Sequence, residues 1–227
     1  MVTHLYRNIE NKKKHHRRSG GIGIFFKENV FKYTKIIETD SEYVQLFKIY
    51  KSSFSTGEDV MFGSVYIPPD NSPYFAIDLY ETFKSEVERM LSSNRYAILL
   101  GDFNARTRNL SEILDLDDFI FNSINVNTSD MAQSTVTDIL CKNNMLVHRQ
   151  SCDTVTNRIG NHLVDMCKNN GLVILNGRAF DDKKGCCTCK NSSVVDYLIA
   201  SKECIGLFSE FNIDDFLLSL FRRAQCP

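Results

Sequence analysis

An excess of charge of either sign is the plainest thing this sequence lacks. Lys and Arg number 27 against 28 Asp and Glu, for a net charge of −1. No overall basic field therefore draws the chain onto nucleic acid. No apolar run approaches the roughly 18 residues of a membrane span, so no membrane partner is expected. The N-terminus is polar and then basic, so no secretory signal is expected. An intracellular protein, nuclear or cytoplasmic, is the expectation. Proline and glycine are few, at 4 and 11. There is neither a long low-complexity linker nor a fixed-period repeat. In 227 residues, 43% of them hydrophobic, a single domain with a sizeable core is the simplest reading.

The sequence also lacks the spacing of a zinc site. It has 8 cysteines, most of them scattered beside apolar residues, as free thiols in a reducing compartment are. Cys186-Cys187-Thr188-Cys189 crowds three together. A structural zinc site needs two separated Cys or His pairs, and no His is near in sequence. A metal cluster is not expected there.

The most informative stretch is Tyr96 to Arg106. Tyr96 to Leu100 is apolar and reads as a short buried strand. Gly101 breaks the pattern. Asp102 and Asn104 stand two apart, so on an extended segment their side chains point the same way. Asp is rarely buried without a partner. At this point an Asx turn explains the pair as well as a chemical site does. Asp196 poses the same question inside the apolar run Val194 to Ile199. A strand buried on both faces carries an Asp only with a partner, usually His, Arg or a metal. Tyr66 stands before Ile67-Pro68-Pro69, where the two prolines end a strand. Its hydroxyl can face a cleft or be a satisfied core group.

Further strands are expected at Ile22–Phe26, Tyr43–Tyr50, Val60–Ile67 and Leu172–Leu175. Ser52 to Gly57 reads as a hairpin loop between two of them. Ser72 and Pro73 read as the start of a helix with Ile77, Tyr80, Phe83, Val87 and Met90 on one face. That helix then crosses over to the strand before Asp102, as in a βαβ unit. A helix is expected over 130–143, with Met131, Val136, Ile139 and Leu140 inward. Another is expected over 161–170, with Leu163, Val164, Met166 and Cys167 inward and Gly171 as its stop. Residues 205–213 could hold a last strand. Residues 1–18, ending in the basic run Lys12–Arg18, read as a solvated loop with weak attraction for phosphate. Residues 109–129 read as loop, and 214–227 have no convincing period.

Four motifs then occur in order: Ser19-Gly-Gly-Ile-Gly-Ile-Phe-Phe26, Val65-Tyr-Ile-Pro-Pro69, Gly101-Asp-Phe-Asn-Ala105 and Ser193-Val-Val-Asp-Tyr-Leu198. Together they resemble the endonuclease/exonuclease/phosphatase family, and most of all the endonuclease domain of LINE-type non-LTR retrotransposons. The likeness spans residues 19–213, with 1–18 and 214–227 outside it. It implies a four-layer α/β sandwich, two mixed sheets face to face with helices outside. It also implies Mg²⁺-dependent phosphodiester hydrolysis of DNA.

By that resemblance Tyr66 contacts the scissile phosphate. Asp102 orients the attacking water or protonates the leaving group, and Asn104 steadies a phosphate oxygen. Asp196 orients a catalytic histidine. Thr188 and Arg106 are further candidates for contacting substrate. The departures are as informative. The metal-binding Glu of the family is missing, and the sequence contains no Ser-Asp-His. The resemblance therefore implies a copy shortened at both ends and incomplete as a sandwich, with weakened metal binding and impaired activity. The alternatives are a non-catalytic remnant that binds nucleic acid or protein weakly, and a phosphatase or lipid-phosphodiesterase branch of the same fold.

Overall fold

The structure, a computed structural model, describes residues 2–7, 21–53, 57–113, 135–190 and 192–213. The basic run Lys12–Arg18, most of the expected loop 109–129, the first residues of the helix expected over 130–143, and the tail 214–227 lie outside them.

The β-branched and aromatic runs form strands, as a pleated half-buried surface favours. These are β1 (Val2–Arg7), β2 (Ile22–Lys27), β3 (Thr34–Ile37), β4 (Val44–Ile49), β5 (Val60–Tyr66), β6 (Ala97–Asp102), β7 (Leu172–Ile174) and β8 (Asp196–Ser201). The helices are α1 (Glu28–Phe31), α2 (Leu79–Ser93), α3 (Val136–Lys142) and α4 (Arg158–Asn170). Six strands make one mixed sheet in the order β3-β4-β5-β6-β8-β7. Within it β5 and β6 are parallel, with α2 as the crossover between them, and the other pairs are antiparallel. The expected βαβ unit is thus present.

Strand alternation divides the core into two. Leu99, Val65 and Ile199 face α2 and α4, and pack with Phe83, Val87 and Met90 of the first and Leu163, Val164 and Cys167 of the second. Ile98, Val173 and Ala200 face the other way and pack with Leu140 of α3 and with Cys204 and Ile205. On this second face β2 also approaches. Phe26 stands edge-on to Phe47, and Phe47 stacks on Phe62, both at 5.1 Å between ring centroids. Leu100, on the same face, keeps 40% of its surface exposed.

Several expectations are corrected. Residues 2–7, read as part of a solvated loop, pair antiparallel with β2, Val2 opposite Lys27 and Arg7 opposite Ile22. The alternation Val-Thr-His-Leu-Tyr-Arg suits that role. Strand β3 went unread because Thr-Lys-Ile-Ile is too short to show a period. Helix α2 starts at Leu79 and not near Ser72. The Ser72 hydroxyl accepts from Tyr74 N–H at 3.2 Å and makes a turn of its own, leaving Ile77 fully exposed. Residues 202–207 form a 3₁₀ turn, not a strand, and no strand follows among the described residues. Of the four expected layers, the described residues supply α2 and α4 on one face of the six-stranded sheet, and α3 and a second sheet of two strands on the other.

Candidate active site

The site begins with a glycine. Gly101 has φ 140°, and a Cβ there would meet the Val65 carbonyl oxygen at 2.0 Å. Only glycine lets β6 stay paired with β5 up to its last residue. That pairing sets Tyr66 opposite Asp102, and the antiparallel neighbour sets Asp102 opposite Asp196. Cross-strand neighbours lie about 4.5–5.5 Å apart at Cβ. A phenol and two carboxylates thus stand in one row across three strand ends. Asp196 is the first residue of β8, where the sequence suggested the interior of a strand.

Asn104 joins the row by a turn and not by extended alternation. Its φ is 46°, left-handed, which Asn tolerates better than most residues. Its N–H donates to Asp102 Oδ1 at 2.9 Å, and its amide nitrogen donates to the Ile67 carbonyl at 2.8 Å. The Asx turn and the polar pair, alternatives in the sequence, are here the same object.

Two residues hold Asp196. The Thr188 hydroxyl oxygen accepts from the N–H of Val195 at 3.0 Å and of Asp196 at 3.1 Å. Asn176, buried, donates to the Asp196 carbonyl at 3.1 Å and accepts from Leu198 N–H at 2.9 Å, continuing the ladder where β7 stops. Asn176 was not among the expected site residues. Its only signal was a polar residue directly after a buried strand. Arg106 carries no free charge into the site. It grips the buried Asp153 through Nε at 2.8 Å and Nη2 at 2.6 Å, and holds that carboxyl below its usual range.

The loop bearing Asn104 is fixed by the N-cap of α4. Asn157 Oδ1 accepts from Gly160 N–H at 2.7 Å and from Arg106 N–H at 2.9 Å, and its Nδ2 donates to the Asn104 carbonyl at 3.0 Å. A helix cap and a loop tether end together when this side chain is truncated. Asn157→Ala should cost about 2 kcal/mol in a thermal melt. A loss within 0.5 kcal/mol, to take roughly the scale of an ordinary surface change, would show that the loop stands without it.

Burial raises Asp102 from 3.8 to about 6, the Asn104 N–H opposing and the Asp196 charge adding to the rise. Burial likewise raises Asp196, against the Thr188 hydroxyl. Tyr66 is raised by burial and then by Asp102, so its phenol stays protonated. Among the described residues, no basic side chain forms an ion pair with either carboxylate. Two half-buried, uncompensated carboxylates facing each other are a hard, oxygen-only donor pair. They fit Mg²⁺, which typically takes one or two carboxylates and completes its shell with water and substrate oxygens. Asp196, at one end of the row, lines a cleft walled also by Leu100, Asn176, Thr188, Leu198 and Phe211.

No family model matches the sequence, and no curated protein matches it. Among solved structures, the chain is similar to the endonuclease domain of TRAS1, a telomere-specific non-LTR retrotransposon. The two share 13% identity at a TM-score of 0.52, over 95% of this chain and 72% of that one. The chain has the endonuclease/exonuclease/phosphatase fold. A 3′-5′ exonuclease from Neisseria meningitidis gives 0.46 at 13% identity, over 90% and 69% of the two chains. The human Nocturnin catalytic domain gives 0.44 at 11%, over 88% and 61%. In this fold the row from Tyr66 to Asp196 lies at the ends of β5 and β6 and the start of β8.

Proposed function

We propose that this chain is a Mg²⁺-dependent phosphodiesterase of nuclease type, acting on DNA, and strongly impaired as it stands. The observation that carries the reading is the facing pair Asp102 and Asp196, flanked by Tyr66 and Asn104 and without a counter-charge among the described residues. Asp102 and Asp196 would hold the metal, which supplies charge neutralisation at a phosphoryl oxygen. The raised value of Asp102 belongs to the metal-free protein; beside the cation its carboxylate would stay ionised and could accept a proton from an attacking water. The Tyr66 hydroxyl and the second N–H of the Asn104 amide can donate to phosphoryl oxygens, as developing negative charge requires. Thr188, on this reading, positions Asp196, and Arg106 reaches substrate only at the expense of Asp153.

The impairment follows from what the row does not contain. Among the described residues Asp196 has the Thr188 hydroxyl as its partner, where the resemblance implies a histidine that it would orient. The two histidines with described side chains lie elsewhere: His162 packs tilted against Tyr80, outside the row, at 4.6 Å between ring centroids, and His148 lies in the segment before Arg149. Groups of this kind act as a unit, so losing one removes most of the rate. A missing electrostatic stabiliser alone is worth roughly 10²–10³-fold.

The test is nicking of supercoiled plasmid by the purified chain with Mg²⁺, with Asp102→Ala alongside, and calorimetric titration of Mg²⁺ in parallel. Weak Mg²⁺ binding that Asp102→Ala removes, with nicking barely above background, is the expected result. Strong nicking abolished by Asp102→Ala would overturn the impairment and keep the chemistry. Absence of both binding and nicking would overturn the phosphodiesterase reading.

A further inference from the structure

Three thiols outside the active-site row lie together. Cys152 N–H donates to the Gly185 carbonyl at 2.8 Å, and its Sγ contacts the Lys184 carbonyl at 3.6 Å. Gly185 has φ 67°, and a Cβ there would meet the Gln150 carbonyl oxygen at 2.2 Å. The two backbones therefore touch, and Cys186 and Cys187 follow directly. The residue that Cys152 meets is Gly185, so Cys186 stands one residue and Cys187 two residues along the chain from that contact. Cys152 is exposed, and Cys186 and Cys187 are half-buried. Burial pushes the Cys187 thiol up, and the neighbouring Cys152 and Asp153 add to it. Burial raises Cys186 too, with Asp182, Cys152 and Cys187 acting in the same sense. Cys189 pairs instead with Ser193 across a tight turn.

We propose that Cys152 is the exposed member of an oxidisable cluster and forms a disulfide with one of the two vicinal thiols, Cys186 or Cys187. The oxidant is a small-molecule disulfide of the oxidised-glutathione class. The Cys152 thiolate attacks one sulfur of it, forming a mixed disulfide and releasing one small thiol. The vicinal thiolate then attacks Cys152 Sγ and releases the second. Two protein thiols are oxidised by two electrons, and one small disulfide is reduced to two thiols, which take up the two protons. The bond would staple the residues just before Thr188 to the segment carrying Asp153. Thr188 holds the start of β8, and Asp153 holds Arg106. Oxidation therefore locks one wall of the cleft, whatever chemistry the cleft performs.

The experiment equilibrates the purified chain with oxidised or reduced glutathione, alkylates it and maps its peptides by mass spectrometry. One bridge from Cys152 to Cys186 or Cys187 is expected, with a melting temperature higher by on the order of 5–10 °C in the oxidised form. Cys152→Ser should abolish both the bridge and the shift, while Cys141→Ser, at another exposed thiol, should keep both. A glutathione adduct persisting on Cys152 without an internal bridge would overturn the proposal. So would a bridge to Cys141, Cys189 or Cys226.

Discussion

Glu112→Ala should destabilise the protein by about 3–5 kcal/mol in urea denaturation, more than any other single change discussed for this fold. Glu112 is buried and lies between two buried arginines. Its Oε1 accepts from Arg178 and from Ile174 N–H at 2.9 Å, and its Oε2 stands 3.6 Å from Arg149 Nε. Arg178 is completely enclosed. Burial pushes its pKa down, and the Glu112 charge is what pulls it back. Without Glu112, two guanidinium groups remain in the interior with no opposite charge. The damage would travel, because Arg149 also donates to Thr107 Oγ1 at 2.6 Å, and Thr107 meets the Tyr197 hydroxyl at 3.0 Å. That hydroxyl donates to the Ala105 carbonyl at 2.8 Å, beside Asn104. Replacing all three charges together with apolar residues should cost less than removing Glu112 alone, since breaking a buried pair is worse than replacing it. A cost for Glu112→Ala below about 1 kcal/mol, the scale of an ordinary point change, would mean that water reaches the arginines.

Asp102→Asn should do the opposite and stabilise the metal-free protein at pH 7.5, by about 1–2 kcal/mol once solvent screening of a half-buried group is allowed for. The sign follows from the direction of the shift. The folded-state pKa of Asp102 is about 6 against 3.8 for the free side chain, so folding favours the protonated form. That contribution is complete below the unfolded value and is lost as pH rises through the folded one. In EDTA, the wild-type protein should therefore lose stability between about pH 4 and pH 7. The Asn variant should be flatter across that range, and the two should converge at the acidic end. Mg²⁺ should restore the wild type at pH 7.5 and leave Asp102→Asn unmoved, because a bound cation removes the repulsion between Asp102 and Asp196. A melt in which Asp102→Asn is destabilising at pH 7.5 without metal would show a partner for this carboxylate that the fold has not revealed.

Sequence carried the fold where patterns were long. The run Tyr96 to Leu100 gave β6, and the spacing Leu163, Val164, Met166, Cys167 with Gly171 gave the buried face and stop of α4, whose terminal glycine has φ 62°. It failed where the deciding contact is distant. Nothing local shows that Thr3 and Tyr6 belong to a strand, because β1 exists by pairing with β2. The buried Glu112–Arg178–Arg149 group was invisible for the same reason. Three charged residues far apart in sequence read as surface until folding encloses them. In the site, the motif residues Tyr66, Asp102, Asn104 and Asp196 could be singled out because each is polar beside an apolar run. Asn176 carries the same local signal after Leu172–Leu175 but stands in none of the four motifs, and its task, completing a ladder left short by the three-residue β7, shows only in the fold.

The position of β8 has a consequence for how the protein is made. It is the last described strand in the sequence, yet it lies inside the sheet, between β6 and β7. Until β8 arrives, β6 and β7 have no bond to each other, and each presents an unpaired edge. A ribosome releases the chain from its N-terminus, so the sheet stays split until the residues of β8, Asp196–Ser201, have emerged. During that interval two apolar edges are open to strands from other chains. Closing the gap is a long-range event, and slow on that account. Yield during synthesis should then depend less on the final stability than on how quickly the strand beginning at Asp196 finds its slot.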